Sequence, residues 1–104
     1  MQSERAGEPC PLYHDAVELI GRRWTGAILA VLLQNGPLRF RQIAQAVPDL
    51  SDRLLSERMR ELESRGLVVR TELRAGVQYA LTEMGRDLDT AVGELRTWAQ
   101  RWLR

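Results

Sequence analysis

The sequence predicts a mainly α-helical chain with one small β-hairpin. Three observations support this fold class. Two amphipathic helical segments flank a short turn at residues 48–50, the apolar periodicity changes from helical to alternating after Gly66, and an apolar stripe runs through the C-terminal segment. The chain has 104 residues, 44% hydrophobic and 28% charged, which is typical of one globular domain. We expect a flexible polar tail over residues 1–9 and a single domain over residues 10–104.

Three helices are predicted in the N-terminal half. Cys10-Pro11 opens the first, because proline suits the first turn of a helix, and Gly21 ends it. The second, over about residues 24–33, is almost entirely apolar and is therefore expected in the core. The third covers about residues 39–47 and carries one apolar stripe at helical spacing. The predicted apolar face of the first helix consists of Leu12, Ala16, Leu19 and Ile20.

A fourth helix follows the turn at residues 48–50. Ser51 is a good N-cap residue, and Leu55, Met59 and Leu62 recur with helical spacing until Gly66. Two short amphipathic helices joined by a three-residue turn predict a helix-turn-helix over about residues 39–66.

Residues 67–82 alternate between apolar and polar side chains on both sides of Arg74-Ala75-Gly76, which predicts a β-hairpin with a tight connection. A helix-turn-helix followed directly by a hairpin is a winged helix-turn-helix, with the hairpin as the wing. Thr82 is then expected to cap one continuous helix over about residues 83–104, roughly 33 Å long. Its stripe would leave two tryptophans exposed on a monomer, so we expect a homodimer in which it is covered. The expected interface residues are Leu88, Val92, Leu95, Trp98 and Trp102.

The chain resembles the HxlR-type regulators over about residues 10–102. The matching motifs are Cys10-Pro11, residues 19–25, 38–43, 50–51, 54–63 and 66–68, and Tyr79-Ala80-Leu81-Thr82-Glu83-Met84-Gly85. The resemblance implies a bacterial winged-helix transcription factor, related in fold to the MarR regulators. It further implies a homodimer, built by the first and last helices, that binds a pseudo-palindromic operator and by default represses. The wing tip is shorter than in many members of the family.

The charge distribution favours a nucleic-acid partner. Residues 22–78 hold ten arginines against six acidic residues, a net charge of +4, although the whole chain carries only +1. On the helix after Ser51, we expect Arg53 and Ser56 to contact bases, and Arg60 to reach bases or the far backbone. Arg58 is expected in a salt bridge that stabilises the fold. The predicted phosphate contacts are the helix N-terminus at Ser51, with Arg39, Arg41 and the wing residue Arg74.

Cys10 is the only cysteine, and His14 the only histidine, which argues against a structural zinc site. Cys10 begins a predicted helix, where the dipole favours a thiolate, and some HxlR-type regulators sense oxidants or electrophiles through a cysteine at this Cys-Pro position. The alternative is a small buried residue. A hydrophobic effector near the dimer interface, or a winged helix that binds protein, also remains open. We expect no cofactor, no metal, no enzymatic activity, no membrane segment and a cytoplasmic protein.

Overall fold

The computed structural model describes residues 10–104, so the predicted tail at residues 1–9 lies outside the described residues. The elements follow one another in the order α1 (Pro11–Ile20), α2 (Thr25–Asn35), β1 (Leu38–Arg39), α3 (Phe40–Ala46), α4 (Asp52–Ser64), β2 (Val68–Leu73), β3 (Gly76–Leu81), α5 (Glu83–Arg86) and α6 (Asp89–Trp102). Among the helices of residues 10–104, none combines the length and the hydropathy that a membrane-spanning segment needs.

The core lies where α2, α3 and α4 meet the base of the hairpin. The predicted inward positions of α4 are confirmed, since Leu55, Met59 and Leu62 are at most 1% exposed. They pack with fully buried side chains of α2 and α3 and of the connection between α4 and β2, namely Ile28, Leu29, Leu32, Ile43 and Leu67. Burying one apolar stripe from each helix fixes which face of α4 is left to solvent.

The hairpin is confirmed, and a third strand joins it. The sheet order is β1-β3-β2, with both pairs antiparallel, and β1 pairs Leu38 with Tyr79 and Arg39 with Gln78. The predicted third helix accordingly begins at Phe40 rather than at Arg39, which is extended (φ −82°, ψ 159°). The sheet therefore connects the start of α3 to the wing.

The alternation predicted for the wing does not translate into one buried face. Only Val68 of β2 is buried, whereas Val69 and Leu73 are both 46% exposed. The strand extends beyond the helices that could cover it. At its outer end the connection closes through Arg74-Ala75, with Gly76 at φ 126°, a backbone conformation that favours glycine.

The prediction of one continuous helix over residues 83–104 is wrong, because the segment is divided into α5 and α6. At Asp87 and Leu88 the ψ angles are −9° and −3°, far from the helical value of about −42°. Leu88 is half-buried against the core, while Gly85 packs so closely on the Leu67 carbonyl that an added Cβ would overlap it. Docking this first turn against the hairpin base interrupts the helix.

The first helix is also less buried than its periodicity predicts. Only Leu19 and Ile20, in its last turn, pack against the core, and Leu12 is 79% exposed. Tyr13 and Val17 are exposed as well. In the described chain, α1 is therefore attached to the domain mainly through its C-terminal turn.

Candidate nucleic-acid interface

The outer face of α4 is the first part of the candidate interface. Ser51 caps the helix, its Oγ accepting a hydrogen bond from the Leu54 amide at 3.1 Å. Arg53 and Arg60 are exposed on the side opposite the buried stripe, about 10 Å apart along the axis, and Ser56 is half-buried between them. The cap and the core together present two guanidinium groups to solvent on one helical face.

These two guanidinium groups are available to an external partner. Within residues 10–104, no carboxylate forms an ion pair with Arg53 or Arg60. The nearby Glu57 carboxylate instead lies 3.8 Å from Arg58 Nη1. Arg53 and Arg60 thus have no ion-pair partner among the described residues, and a guanidinium can pair with a phosphate or with a guanine edge.

Arg39, Arg41 and Arg74 are the other candidate contacts, and they lie outside α4. Arg39 and Arg41 are exposed at the start of α3, and Arg74 is exposed at the tip of the hairpin. Arg39 is placed by β1, whose pairing with β3 joins it to the strand that follows Arg74. The sheet thus connects the strand that holds Arg39 with the wing that carries Arg74.

Arg58 faces inward, as expected for a salt bridge that stabilises the fold. Its side chain is 9% exposed, and its Nε donates to the Arg23 carbonyl at 2.9 Å. Its Nη1 lies 3.4 Å from the Glu61 carboxylate, which also accepts from Arg22 at 2.8 Å. The role of Arg22 is missed by sequence reasoning, because 39 positions separate it from Glu61 and no local spacing reveals the pair.

Within the wing, Arg70 remains firmly charged. Interaction with the Tyr79 hydroxyl, and then with the Glu72 carboxylate, raises the pKa of Arg70 above its ordinary value. The Glu72 carboxylate lies 3.3 Å from Arg70 Nη1. This pair occupies the exposed outer strand of the wing, where solvent screens its contribution to stability.

Cys10 caps the N-terminus of α1. Its Sγ accepts a hydrogen bond from the Tyr13 amide at 3.4 Å, and the residue is partly exposed. The sulfur thus lies at a helix N-terminus, and its partial exposure admits a reagent. Cys10 is neither fully buried nor fully exposed, so the sensing role and the packing role both stay predictions.

Two further surfaces of the domain are apolar. On α6, Leu95, Trp98 and Trp102 are 58%, 52% and 64% exposed, whereas Leu88 and Val92 are half-buried. The predicted interface set therefore divides into exposed residues and residues that already pack within the chain. An open groove of about 260 Å³ lies between α1 and the α5–α6 junction, and its apolar lining includes Leu12, Ala16, Leu19, Ile20, Met84 and Leu88.

Comparison with known proteins decides the family. The sequence profile of the HxlR-like helix-turn-helix family matches residues 19–104. The chain belongs to the HxlR-like family. It is a transcriptional regulator of the helix-turn-helix type, and the winged helix predicted from residues 39–82 is confirmed.

Relatives of this HxlR-like chain resemble it over almost its full length. It is 41% identical to the HTH-type transcriptional regulator YvaP of Bacillus subtilis over 99 residues, which is 92% of this chain and 91% of YvaP. It is 38% identical to YodB of Bacillus subtilis over 96 residues, 89% of this chain and 85% of YodB. The crystal structure of quinone-bound YodB superposes with a TM-score of 0.81 at 39% identity, covering 90% of this chain and 100% of that one. The reduced form of the redox regulator HypR gives a TM-score of 0.80 at 29% identity, covering 86% and 91%.

Proposed function

We propose that this HxlR-like regulator is a homodimer that binds a pseudo-palindromic operator in double-stranded DNA and represses transcription from it. The observation that carries the proposal is the outer face of α4, where Arg53 and Arg60 are exposed and unpaired within the described chain, directly opposite the stripe buried in the core. An α-helix fits into the major groove of DNA, which is about 12 Å wide.

In this proposal α4 reads the bases. Arg53 and Ser56 lie near the N-terminus of α4, which is the part of a recognition helix that meets base edges first. A guanidinium can bind both acceptors of a guanine edge, so Arg53 specifies sequence. Arg60, two turns further on, contacts bases or the backbone at the far side of the groove.

The phosphate contacts come from three places around α4. Ser51 lies at the helix N-terminus, where main-chain N–H groups favour an anion. Arg39 and Arg41 would hold the backbone from the start of α3, and Arg74 from the wing. The short wing reaches the neighbouring phosphates and leaves most of the base recognition to α4.

A second copy of the chain is the proposed cover for the apolar surfaces of α1 and α6. Trp98 and Trp102 are each more than half exposed, and Leu12 and Tyr13 of α1 are exposed too. Large aromatic side chains of this kind are the usual anchors of protein interfaces. Dimerisation places two α4 helices in successive major grooves and explains why a pseudo-palindromic operator is expected.

The experiment that tests the proposal is a binding titration of the full chain. Operator sequences are selected from random duplex DNA, and affinity is measured by fluorescence anisotropy at increasing salt. Three arginine–phosphate contacts per protomer predict six per dimer, so log K should fall with log salt at a slope of about −5. Binding that does not depend on salt, or no selection of a common sequence, would contradict DNA reading and favour a winged helix that binds protein.

Cys10 supplies a proposed response to electrophiles or oxidants. It is the only cysteine, it is partly exposed, and its Sγ accepts a helical N–H. A quinone would react by addition: an S–C bond forms at a ring carbon, and the ring takes up the proton as it becomes a hydroquinone. The similar YodB has been solved with a bound quinone, which supports the same class of effector here.

The groove between α1 and the α5–α6 junction supports a second candidate, a hydrophobic effector that binds without a covalent bond. Its lining is mainly apolar, and it borders the helix that Cys10 caps. The two modes differ in their dependence on the thiol. A response that persists after Cys10→Ser favours the groove, and one that disappears favours Cys10.

A further inference from the structure

The junction between α1 and α2 is bound to α4 by a small cluster of charged groups. The Arg58 Nε donates to the Arg23 carbonyl at 2.9 Å, and Glu61 Oε2 accepts from Arg22 Nη2 at 2.8 Å. The same carboxylate lies 3.4 Å from Arg58 Nη1. We call these three side chains and the Arg23 carbonyl the junction clasp.

The α1–α2 junction has a well-defined conformation. Trp24 has a φ of 76° and, within residues 10–104, is the only non-glycine residue in the left-handed region. The Arg23 guanidinium lies 5.4 Å from the centre of the Trp24 ring, and Trp24 itself packs against the core. A backbone held in this region persists only where surrounding contacts fix it. The clasp therefore attaches α4 to a stiff segment.

The buried stripe of α4 does not by itself determine the tilt of the helix. Leu55, Met59 and Leu62 set its depth in the core and the face it exposes. Arg58 and Glu61 lie beside that stripe, and they connect α4 to the segment that follows α1. Since Arg22 and Arg23 follow the last turn of α1 almost directly, the clasp links α4 to the end of α1.

We propose that Arg58 and Glu61, together with Arg22, are positioning residues for operator recognition. They fix α4 relative to α1, and in the dimer they set the separation of the two α4 helices. The inference rests on the proposed function, since it requires a dimer that reads two half-sites. Its consequence is that the clasp determines which spacing of half-sites is accepted.

The test measures affinity for duplexes in which the selected half-sites are moved apart or together by one base pair. Such a change rotates one half-site by about 35° around the DNA axis. For the wild-type chain it should cost roughly tenfold in affinity, comparable with a mismatched base pair. In Arg22→Ala and Glu61→Ala this spacing penalty should fall to about threefold or less, because the two α4 helices become less strictly oriented.

Two further variants control the experiment. Arg22→Lys retains the charge and should restore most of the spacing preference. Glu72→Ala removes a carboxylate, as Glu61→Ala does, but from the Arg70–Glu72 pair of the wing, whose atoms are 3.3 Å apart. This pair does not touch the junction, so Glu72→Ala should leave the spacing preference intact. Arg58→Ala is avoided because the Arg58 side chain is itself buried and its loss would leave a cavity, and melting curves establish that the other variants are folded.

The outcomes separate this inference from the proposed function. If Arg22→Ala and Glu61→Ala weaken binding by the same factor at every spacing, the clasp is merely structural and the inference is overturned, although DNA reading by a dimer stands. If the wild-type chain shows no spacing preference or no duplex binding, the proposed function fails, and the inference fails with it.

Discussion

The Thr82 hydroxyl joins the end of α4 to the start of α5. It donates to the Gly66 carbonyl at 2.6 Å and accepts from the Gly85 amide at 3.1 Å. Residues 66 and 82 flank the hairpin, so one side chain closes the base of the wing and caps the following helix. Thr82→Val keeps the shape of the side chain and loses both hydrogen bonds.

We expect Thr82→Val to lower the free energy of unfolding by about 1–2 kcal/mol, the usual effect of losing an N-cap hydrogen bond. Thr71→Val is the matched control, because Thr71 is exposed in the middle of β2 and valine suits a strand. Urea denaturation measures both. Equal stability of the two variants would show that the Thr82 bonds contribute nothing beyond those water provides.

Arg53→Ala should weaken binding to the selected operator by about 1–3 kcal/mol and relax the preference at one base pair. The cause is the loss of a two-point contact that only one base edge satisfies. Arg65→Ala provides the control, since Arg65 is exposed at the other end of α4 and has no proposed role in DNA binding. The measurement is anisotropy with duplexes that vary at each position. A uniform loss over all sequences would make Arg53 a phosphate contact.

Trp98→Ala should dissociate the dimer. Truncating a central aromatic anchor costs about 2–4 kcal/mol of association energy, so the dimer constant should weaken by at least an order of magnitude. Sedimentation over a concentration series measures this change, with Gln100→Ala on the same helix as control. If Trp98→Ala sediments like the wild-type chain at every concentration, the exposed face of α6 does not form the interface.

Cys10→Ser should abolish any response of DNA binding to a quinone or to diamide. Since Cys10 is the only cysteine in the 104 residues, a thiol-dependent response has one possible site. The assay compares operator affinity before and after treatment, with mass spectrometry to establish full modification. Complete modification of wild-type protein without a change in affinity would remove Cys10 from regulation.

Local patterns predict much of the fold. Leu55, Met59 and Leu62 define the buried face of α4 by their spacing alone, and Ser51 predicts its first residue. The candidate DNA-reading residues follow from that geometry, because the outward direction is determined once the inward direction is known. Burial patterns of this kind are encoded within a single helix.

The features that sequence reasoning misses depend on contacts between distant segments. Strand β1 has two residues, too few to show alternation, and it exists because Leu38 and Arg39 pair with β3. The interruption at Asp87 and Leu88 follows from packing of Gly85 on the hairpin base, which helical periodicity does not reveal. The ion pair of Arg22 with Glu61 is likewise a tertiary contact.

The close approach of Gly85 to Leu67 bears on how such proteins can be recombined. Residues 83–86 pack on the base of the wing, although they lead into the C-terminal helix. A chimera that exchanges C-terminal arms between relatives should therefore be joined at residues 87–88, where the backbone already leaves the helical path. A join at residue 82 would separate Gly85 from the hairpin base on which it packs. The winged helix of each parent would then lose part of its own packing.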